Sequence, residues 1–258
     1  MNNSMIKLDV VMITKNSSDV IDDALSSVRD LADEIIVVDD YSTDKTVEIA
    51  KRYGASIYHR HNQNLGKQRW FGIQNTKNNW VLLLDADERV SPRLQKEIQY
   101  ILSKPPRYEG FTIPFRNHFL GRVLRYGGEN YKKLRLFNKK SRNIHMKETL
   151  VHEELQLNTG GTRVLTNSID HYSYRSLAQM YSKFTDYALR EAIQKRQKAE
   201  KTSMKKIVLY PLHMFWARFI VDEGYKDGWF RIPLDLGFAY MEFLTYVTML
   251  FIKKTKET

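Results

Sequence analysis

The feature that most constrains the fold is a series of strand-length apolar segments that alternate with amphipathic, helix-length segments. Strands that alternate with helices are typical of βαβ units, which build a parallel sheet flanked by helices. The sequence therefore predicts an α/β fold with a mostly parallel sheet. Ser42 or Thr43 is expected to cap the helix after the second strand. The predicted strands are Ile6–Ile13, Glu34–Val38, Ala55–His59 and Val81–Leu84.

The predicted strands carry polar and acidic side chains at their carboxyl ends. In parallel α/β sheets, ligands bind in the crevice outside these ends, so side chains that are distant in sequence can contribute to one ligand site. We therefore expect a ligand site at this edge of the sheet. The residues concerned are Thr14, Asn16, Asp39, Asp40, Asp85 and Asp87.

The fourth strand leads directly into the sequence D-A-D, formed by Asp85, Ala86 and Asp87. On extended backbone these two carboxylates point to the same side. Neighbouring carboxylates repel unless a cation lies between them, and Mg²⁺ or Mn²⁺ is the usual oxygen-bound partner. A solvated acidic loop is the alternative interpretation of this motif taken alone.

Composition narrows the function classes. The formal charge of +11 favours anionic partners, such as nucleic acid, a membrane surface or phosphorylated substrates. The chain has no cysteine, which excludes a disulfide framework and thiolate metal sites. Neither G-x-G-x-x-G after the first strand nor a P-loop motif is present, which disfavours dinucleotide oxidoreductases and P-loop NTPases. The segment Met1–Thr14 does not have the pattern of a signal peptide, so we expect a cytoplasmic protein.

The middle of the chain has a different character. Its strand-like segments are short and rich in aromatic residues, which predicts an antiparallel or irregular half that follows the parallel one. A basic cluster within Lys132–Lys147 is either a solvated face or part of a site. We therefore predict one domain over residues 5–175, with a first half at 5–103 and a second half at 104–175.

Residues 176–258 are predicted to form a helical C-terminal extension. Ser176 is expected to cap its first helix, and further helices are expected at Lys205–Val221 and Pro233–Ile252. Asp235 and Glu242 lie on one stripe of the last helix, and a charge near the bilayer centre costs about 2.5–3.5 kcal/mol. An amphipathic helix, packed on the domain or lying in a membrane interface, is therefore favoured over a membrane span.

Four motifs within Leu8–Glu88 together resemble the donor half of glycosyltransferase family 2. They are V-V-M-I-T-K-N, I-V-V-D-D-Y-S-T-D-K-T, N-L-G-K-Q-R-W-F-G and L-L-L-D-A-D-E. This resemblance implies the GT-A fold, in which a nucleotide-binding α/β half joins an acceptor half. It also implies sugar transfer with inversion of configuration.

The resemblance implies a role for each matched residue at the donor side. Thr14 and Asn16 would line the donor pocket, and Asp40 would contact the uracil or its ribose. Arg69, with Lys67 as a further candidate, would contact the nucleotide. A solvated helix lysine is an equal interpretation of Lys67.

The same resemblance assigns metal ligands around the D-A-D motif. Asp87 would bind a Mg²⁺ or Mn²⁺ ion, and Asp85 would bind the ribose or a water molecule on the metal, or the metal itself. His171 would help to hold the metal or the diphosphate. A structural histidine is the alternative for that position.

Three later stretches are similar to bacterial lipopolysaccharide core β-1,4-glucosyltransferases. They are V-H-E-E-L, D-H-Y-S-Y-R-S and G-Y-K-D-G-W. This narrower resemblance implies transfer of glucose from UDP-glucose to an inner-core heptose. Inversion requires a general base near the acceptor hydroxyl, and Glu153 is our candidate, with Glu154 as the alternate. If this stretch is extended, the two side chains point to opposite faces, so one of them can reach the sugar.

The implied partners are a UDP-sugar donor, a lipid-linked saccharide acceptor and an anionic membrane surface. We expect a peripheral protein on the inner face of the cytoplasmic membrane. A family 2 transferase for capsule, teichoic acid or another surface glycan is the first alternative. A nucleotidyltransferase and a nucleic-acid-binding module are more distant ones; no nucleic acid is expected, because paired acids would repel a phosphate backbone.

Overall fold

The structure is a computed structural model of the 258-residue chain. It describes residues 6–61, 64–141, 144–147, 154–157 and 161–252. The chain forms two compact units. The first unit comprises Met1–Phe115 and Tyr131–His171, and the second comprises Arg116–Asn130 and Tyr172–Thr258. The second unit thus includes residues 116–130 besides the C-terminal part that we predict as a separate extension at 176–258.

Twelve strands and four helices precede the C-terminal helices within the described residues. In chain order they are β1 (Leu8–Thr14), α1 (Ile21–Ser26), β2 (Glu34–Asp39), α2 (Thr46–Arg52), β3 (Ser56–His59), α3 (Leu65–Gln74), β4 (Trp80–Asp85), β5 (Glu88–Val90), α4 (Pro92–Leu102), β6 (Gly110–Phe119), β7 (Arg122–Val123), β8 (Lys132–Asn138), β9 (Ile144–Lys147), β10 (Glu154–Leu157), β11 (Thr162–Val164) and β12 (Ile169–Tyr174).

The main sheet has the strand order β3-β2-β1-β4-β8-β6-β12-β5, and β7 and β11 both pair with β6. The first four strands are parallel, with β1 between β2 and β4. β8 then runs antiparallel to both β4 and β6. The parallel half and the antiparallel second half are as the sequence predicts, and the α/β fold class is confirmed. β9 and β10 form a separate two-stranded antiparallel sheet.

Apolar clusters cover both faces of the parallel strands, which explains why those strands read as continuous apolar runs. Every residue of β1 is buried. On one face α3 lies so close that a Cβ at Gly72 would overlap the side chain of Val11. Glycine at this position therefore permits the close approach of the helix to the sheet.

The predicted cap of α2 is wrong. Lys45 precedes α2, and no side chain of the described part of the chain caps this helix. The Ser42 hydroxyl instead donates to Asp39 Oδ1 at 2.5 Å, and the Thr43 N–H donates to Asn16 Oδ1 at 2.8 Å. Both residues belong to contacts between loops at the sheet edge, and these compete with a local cap.

The second unit contains three long helices. They are α5 (Leu177–Gln197), α6 (Met204–Trp216) and α7 (Ile232–Phe251). A π-helical turn at Ala217–Val221 follows α6, and 3₁₀ turns at Gly224–Asp227 and Trp229–Arg231 precede α7. The predicted cap of α5 is confirmed, because Ser176 Oγ accepts the N–H of Gln179. α7 packs against both α5 and α6.

The polar stripe of α7 faces inward. Asp235 and Thr245 are buried, and Asp235 accepts hydrogen bonds from Arg231 at 2.9 Å and from Arg218 at 3.2 Å. The segment Trp229–Phe251 has the length and apolar composition of a membrane-crossing helix. Its buried Asp235, however, pairs with Arg218 and Arg231, so this side of the helix packs against protein.

Arg231 ties the G-Y-K-D-G-W loop to residues 116–130 of the same unit. Its guanidinium donates to the backbone oxygens of Tyr126 and Gly127, each at 2.8 Å, and pairs with Asp227 at 3.2 Å. Gly127 has φ +68°, and a Cβ there would overlap the guanidinium. The loop motif therefore has a structural role: it organises the interior of this unit.

Candidate active site

Strands β1, β2 and β4 bring three of the predicted site residues to one edge. Thr14 lies opposite Asp39 in the β1–β2 register, and Ile13 lies opposite Asp85 in the β1–β4 register. The Asp40 N–H donates to the Thr14 carbonyl at 2.9 Å. The side-chain hydroxyl of Thr14 is buried and makes no hydrogen bond within the described residues. This edge therefore places Thr14 and the acids of β2 and β4 together, as predicted.

Asn16 braces the loops at this edge. Its backbone has φ +46°, a left-handed conformation that asparagine tolerates better than most residues. Its N–H donates to Ser42 Oγ at 2.8 Å, and its side-chain oxygen accepts the N–H of Thr43. Asp39 is fully buried and accepts from Ser42. Asn16 and Asp39 therefore hold the loop after β2 in place.

Asp40 is the acid of this pair that stays partly open to solvent. Its carboxylate accepts from Lys15 Nζ at 2.9 Å and pairs with His61 Nδ1 at 2.8 Å. Burial alone would raise its pKa, but the hydrogen bonds from Lys15 and His61 outweigh that and hold the pKa below its usual value. Beside it, the Tyr41 ring is 58% exposed and stacks on His59 with 5.7 Å between centroids. The edge thus offers an ionised acceptor next to an open aromatic face.

Asp85 lies between two arginines. The same nitrogen of Arg69 lies 3.0 and 2.9 Å from the two Asp85 oxygens, and Arg135 Nη2 lies 3.1 Å from Oδ2. Although burial would raise it, the charges of Arg69 and Arg135 hold the pKa of Asp85 far below its usual value. Asp85 is therefore a fixed anion, and with both oxygens engaged it is a poorer candidate for a metal ligand than Asp87.

Glu88 completes this buried cluster. Its Oε1 accepts from Arg135 at 2.5 Å and its Oε2 accepts the N–H of Asp85 at 2.9 Å. Burial raises the pKa of Glu88, and the negative charge of Asp85 adds to that effect, whereas Arg135 opposes it. The last acid of the D-A-D-E motif therefore locks Arg135 against the end of β4.

Asp87 faces a second set of residues. His171 Nε2 lies 3.6 Å from Asp87 Oδ1, and His171 Nδ1 lies 3.1 Å from the Tyr131 hydroxyl. A carboxylate is a suitable ligand for Mg²⁺ or Mn²⁺, and Mg²⁺ commonly binds to one or two protein carboxylates and completes its coordination with substrate phosphates and water. No group of three or more acidic or histidine side chains that could hold a metal occurs among the described residues. This donor set fits an ion that is shared with a phosphate ligand.

The other predicted site residues are placed as follows. Lys67 is exposed on α3, and the structure shows no partner for its side chain within the described part of the chain. Glu154 begins β10, of which the backbone is described. Glu153 lies outside the described residues, so its role as general base stays a prediction.

Sequence reasoning missed Arg135 and Tyr131. Arg135 lies in β8 between Leu134 and Leu136, and its side chain is 5% exposed. In the sequence it lies among the basic residues of Lys132–Lys147, which are also compatible with a solvated face. An arginine flanked by leucines in a strand-like segment is the signal that could have distinguished it, because such a strand is buried and its charge needs a buried partner.

Comparison with known proteins identifies the family of the chain. Residues 9–169 match the family model described as "Glycosyl transferase family 2". The chain therefore belongs to glycosyltransferase family 2. It is 31% identical over 256 residues to an uncharacterized glycosyltransferase of Rickettsia prowazekii, covering 93% of this chain and 85% of the relative.

A more distant relative carries a more specific name. The lipopolysaccharide core biosynthesis glycosyltransferase LpsC of Rhizobium meliloti is 22% identical over 261 residues, covering 97% of this chain and 92% of LpsC.

Solved structures support the fold. The crystal structure of Staphylococcus aureus TarS aligns with a TM-score of 0.52 and 15% identity, over 95% of this chain and 55% of that one. A complex of TarS 1–349 with UDP-GlcNAc aligns with a TM-score of 0.50 and 16% identity, over 95% of this chain and 90% of that one. The predicted GT-A fold is confirmed, and the protein is a glycosyltransferase.

Proposed function

We propose that this glycosyltransferase transfers glucose from UDP-glucose to a heptose of the lipopolysaccharide inner core, with inversion of configuration. The observation that carries the proposal is the meeting of Asp40, Asp85 and Arg69 at the carboxyl edge of β1, β2 and β4. These residues lie in three of the four motifs that resemble the donor half of the family. The choice of acceptor is supported by LpsC, a relative whose name places it in lipopolysaccharide core biosynthesis.

The geometry suits a nucleotide diphosphate donor. Asp40, which is held ionised, can accept hydrogen bonds from a uracil N–H or a ribose hydroxyl. The exposed Tyr41 ring can stack on a base. At the end of β4, Arg69 and Arg135 fix the carboxylate of Asp85, which can accept from a ribose hydroxyl. The donor pocket is therefore preorganised by ion pairs that exist before the ligand arrives.

A divalent cation belongs to this proposal. Asp87 and His171 would hold Mg²⁺ or Mn²⁺, and the bound ion would neutralise negative charge on the departing diphosphate. Tyr131 positions the His171 ring through its 3.1 Å contact with Nδ1.

The acceptor side completes the reaction. Glu153, or Glu154 in its place, would take the proton from the acceptor hydroxyl as that oxygen attacks the anomeric carbon. The bond from that carbon to the diphosphate oxygen breaks on the opposite face. The acceptor would be a lipid-linked saccharide, which the protein would meet at the inner face of the cytoplasmic membrane.

Donor binding is tested by thermal shift with UDP-glucose, UDP-galactose, UDP-GlcNAc and GDP-mannose, each with and without Mn²⁺. We expect the largest metal-dependent stabilisation with UDP-glucose. Asp87→Asn should remove the metal dependence, and Asp186→Asn, at an exposed position of α5, is the matched control. No metal-dependent stabilisation by any of the four donors would overturn the proposal.

The base is tested separately by transfer kinetics. Glu153→Gln should abolish transfer while donor binding in the thermal shift assay stays near that of the unmodified protein. If Glu154→Gln abolishes transfer and Glu153→Gln does not, the base is Glu154.

A further inference from the structure

The second unit has an apolar helix that its own fold leaves uncovered. From Ile207 to Trp216, His213 is the one side chain of α6 that can carry a charge near neutral pH. Helices that are apolar on all sides are normally enclosed by protein or lipid. Within α6, however, Ile207 is the one buried residue. The composition of this helix therefore predicts a covering that the described residues do not supply.

The exposed residues of α6 form a continuous face. Val208, Leu212 and Trp216 are 51%, 64% and 53% exposed. They are spaced four residues apart, so they lie on one side of the helix. Single exposed apolar residues are ordinary on protein surfaces, whereas a contiguous apolar patch usually marks an interaction site.

α7 extends this face. Its exposed residues Leu236, Phe243 and Leu250 are spaced seven apart, which again places them on one side of a helix. A groove of about 440 Å³ lies between α6 and α7 and is lined by apolar side chains of both, including Val208, Leu212, Leu236 and Phe243. We call the two faces and this groove the α6–α7 apolar surface.

Basic residues adjoin the surface in sequence. The segment Arg190–Lys206 spans the last part of α5 and the start of α6, and it contains seven basic and two acidic residues. Lys198, Lys201 and Lys205 are exposed. An apolar face next to exposed lysines is typical of helices that lie in the interface of anionic membranes.

We propose that the α6–α7 apolar surface docks onto a bilayer that contains anionic lipid. α6 lies in the plane of the interface, and Lys198, Lys201 and Lys205 contact the headgroups. A second copy of the chain is a less suitable occupant, because a symmetric contact would place two copies of the same basic segment at one interface.

The ion pairs at the end of α6 favour an arrangement in which this helix lies on the membrane over one in which it crosses the membrane. Arg218, in the π-helical turn after α6, pairs with Glu129 and with the buried Asp235. These contacts fix the end of α6 to the interior of the unit. The helix is therefore held at the surface, in an orientation in which its exposed side can enter the lipid.

The proposal is tested with the full chain and vesicles of phosphatidylcholine, with or without phosphatidylglycerol. In a flotation assay we expect binding to the anionic vesicles that weakens as salt is raised. Binding should shift tryptophan emission to the blue, because Trp216 leaves water. Neither donor nor acceptor is needed, so failure here and failure of the proposed transfer reaction are distinguishable.

Matched variants separate the two contributions. Leu212→Gln with Trp216→Gln should lower vesicle binding by about tenfold or more, because both apolar side chains are exposed in the free protein. Lys198→Gln with Lys201→Gln should lower binding to anionic vesicles selectively. Tyr100→Gln, at a position of α4 that is 66% exposed, is the control and should bind normally.

Two results would overturn the proposal. One is unchanged vesicle binding by the Leu212/Trp216 variant with its circular dichroism intact. The other is a dimer in light scattering that this variant dissociates, with no vesicle binding by either protein. If the double variant does not fold, Val208→Gln is the substitute, since its side chain is also exposed.

Discussion

Both units contain a cluster of arginines and carboxylates, but the two clusters differ in access to solvent. In the first unit, Arg69 and Asp85 are 19% and 23% exposed at the end of β4. In the second unit, Arg231 and Asp235 are both 0% exposed. The same chemistry therefore appears once at an open sheet edge and once inside a helical unit.

The difference indicates what each cluster is for. A sealed ion pair can serve only the fold, since no ligand reaches it, and removing one partner leaves an uncompensated buried charge. A cluster with partial exposure and a strongly perturbed pKa is a candidate functional site. Asp85 meets both criteria and Arg69 shares its partial exposure, whereas Arg231 holds the backbone of residues 126 and 127 and the start of α7.

The largest effect on stability should come from breaking the sealed cluster. Arg231→Met removes the buried cation from Asp227 and leaves Asp235 with Arg218 alone, which should lower the free energy of unfolding by about 3–5 kcal/mol and the Tm by about 10 °C. Calorimetry measures this. Lys226→Met removes the exposed pair with Glu223 and should change the Tm little. Equal Tm values for the two variants would contradict the expected difference between a buried and an exposed ion pair.

Breaking the open cluster should affect binding more than folding. Asp85→Asn removes the carboxylate between Arg69 and Arg135, and we expect donor affinity to fall by about 10–100-fold, since hydrogen bonds to charged groups contribute about 1.5–3 kcal/mol. Titration calorimetry with UDP measures the change, and Arg231→Met should bind UDP normally at a temperature where it is folded. Normal UDP binding by Asp85→Asn would remove Asp85 from the donor site.

The two clusters should also differ in the sign of their pH dependence. The pKa of Asp85 is lowered on folding, so its stabilisation is present above the ordinary aspartate pKa of about 3.9 and is lost as the pH falls. Burial raises the pKa of Glu129 in the second unit, despite the nearby Arg218, so its contribution is present below the ordinary glutamate pKa of about 4.3 and is lost as the pH rises.

We therefore expect the destabilisation by Asp85→Asn to grow from acid to neutral pH, and that by Glu129→Gln to shrink. Denaturant unfolding at several pH values measures both. Parallel slopes for the two variants would contradict the assignment of opposite pKa shifts.

The smallest effects should be the same in both units. Ser176 caps α5 and Ser91 caps α4, with N–H to Oγ distances of 3.1 and 3.3 Å. Replacing either with alanine should cost about 1 kcal/mol, without change in UDP binding. Asparagine at the same positions should restore most of the stability. Weaker UDP binding by Ser176→Ala would show that the two units are coupled.

The sequence predicted the parallel half well, because a strand buried on both faces and a helix with one apolar face leave direct periodic patterns. It also predicted that Thr14 and Asp85 would share one edge, since parallel strands must end together. It could not assign a role to Arg135. A basic residue in β8 gives the same sequence pattern whether it lies on a solvated face or in a buried ion pair. The register between β4 and β8, which brings Leu136 opposite Leu82, distinguishes the buried ion pair from the solvated face.

The polar stripe of α7 is a second feature that the sequence predicts only in part. The positions of Asp235 and Glu242 predict a polar stripe, but not which side of the helix faces solvent. In the structure Arg218 and Arg231 compensate the buried carboxylate, so the polar side turns inward and apolar residues such as Phe243 remain exposed.

The sequence by itself determined the α/β class, the family and the chain positions of the acids at the sheet edge, because these follow from local patterns of apolar and charged residues. The tertiary structure alone decided which charges are paired: Asp85 with Arg69 and Arg135, and Asp235 with Arg231. Pairing depends on distances of about 3 Å between groups that are far apart along the chain. Register and helix packing determine these distances, and no short stretch of sequence encodes them.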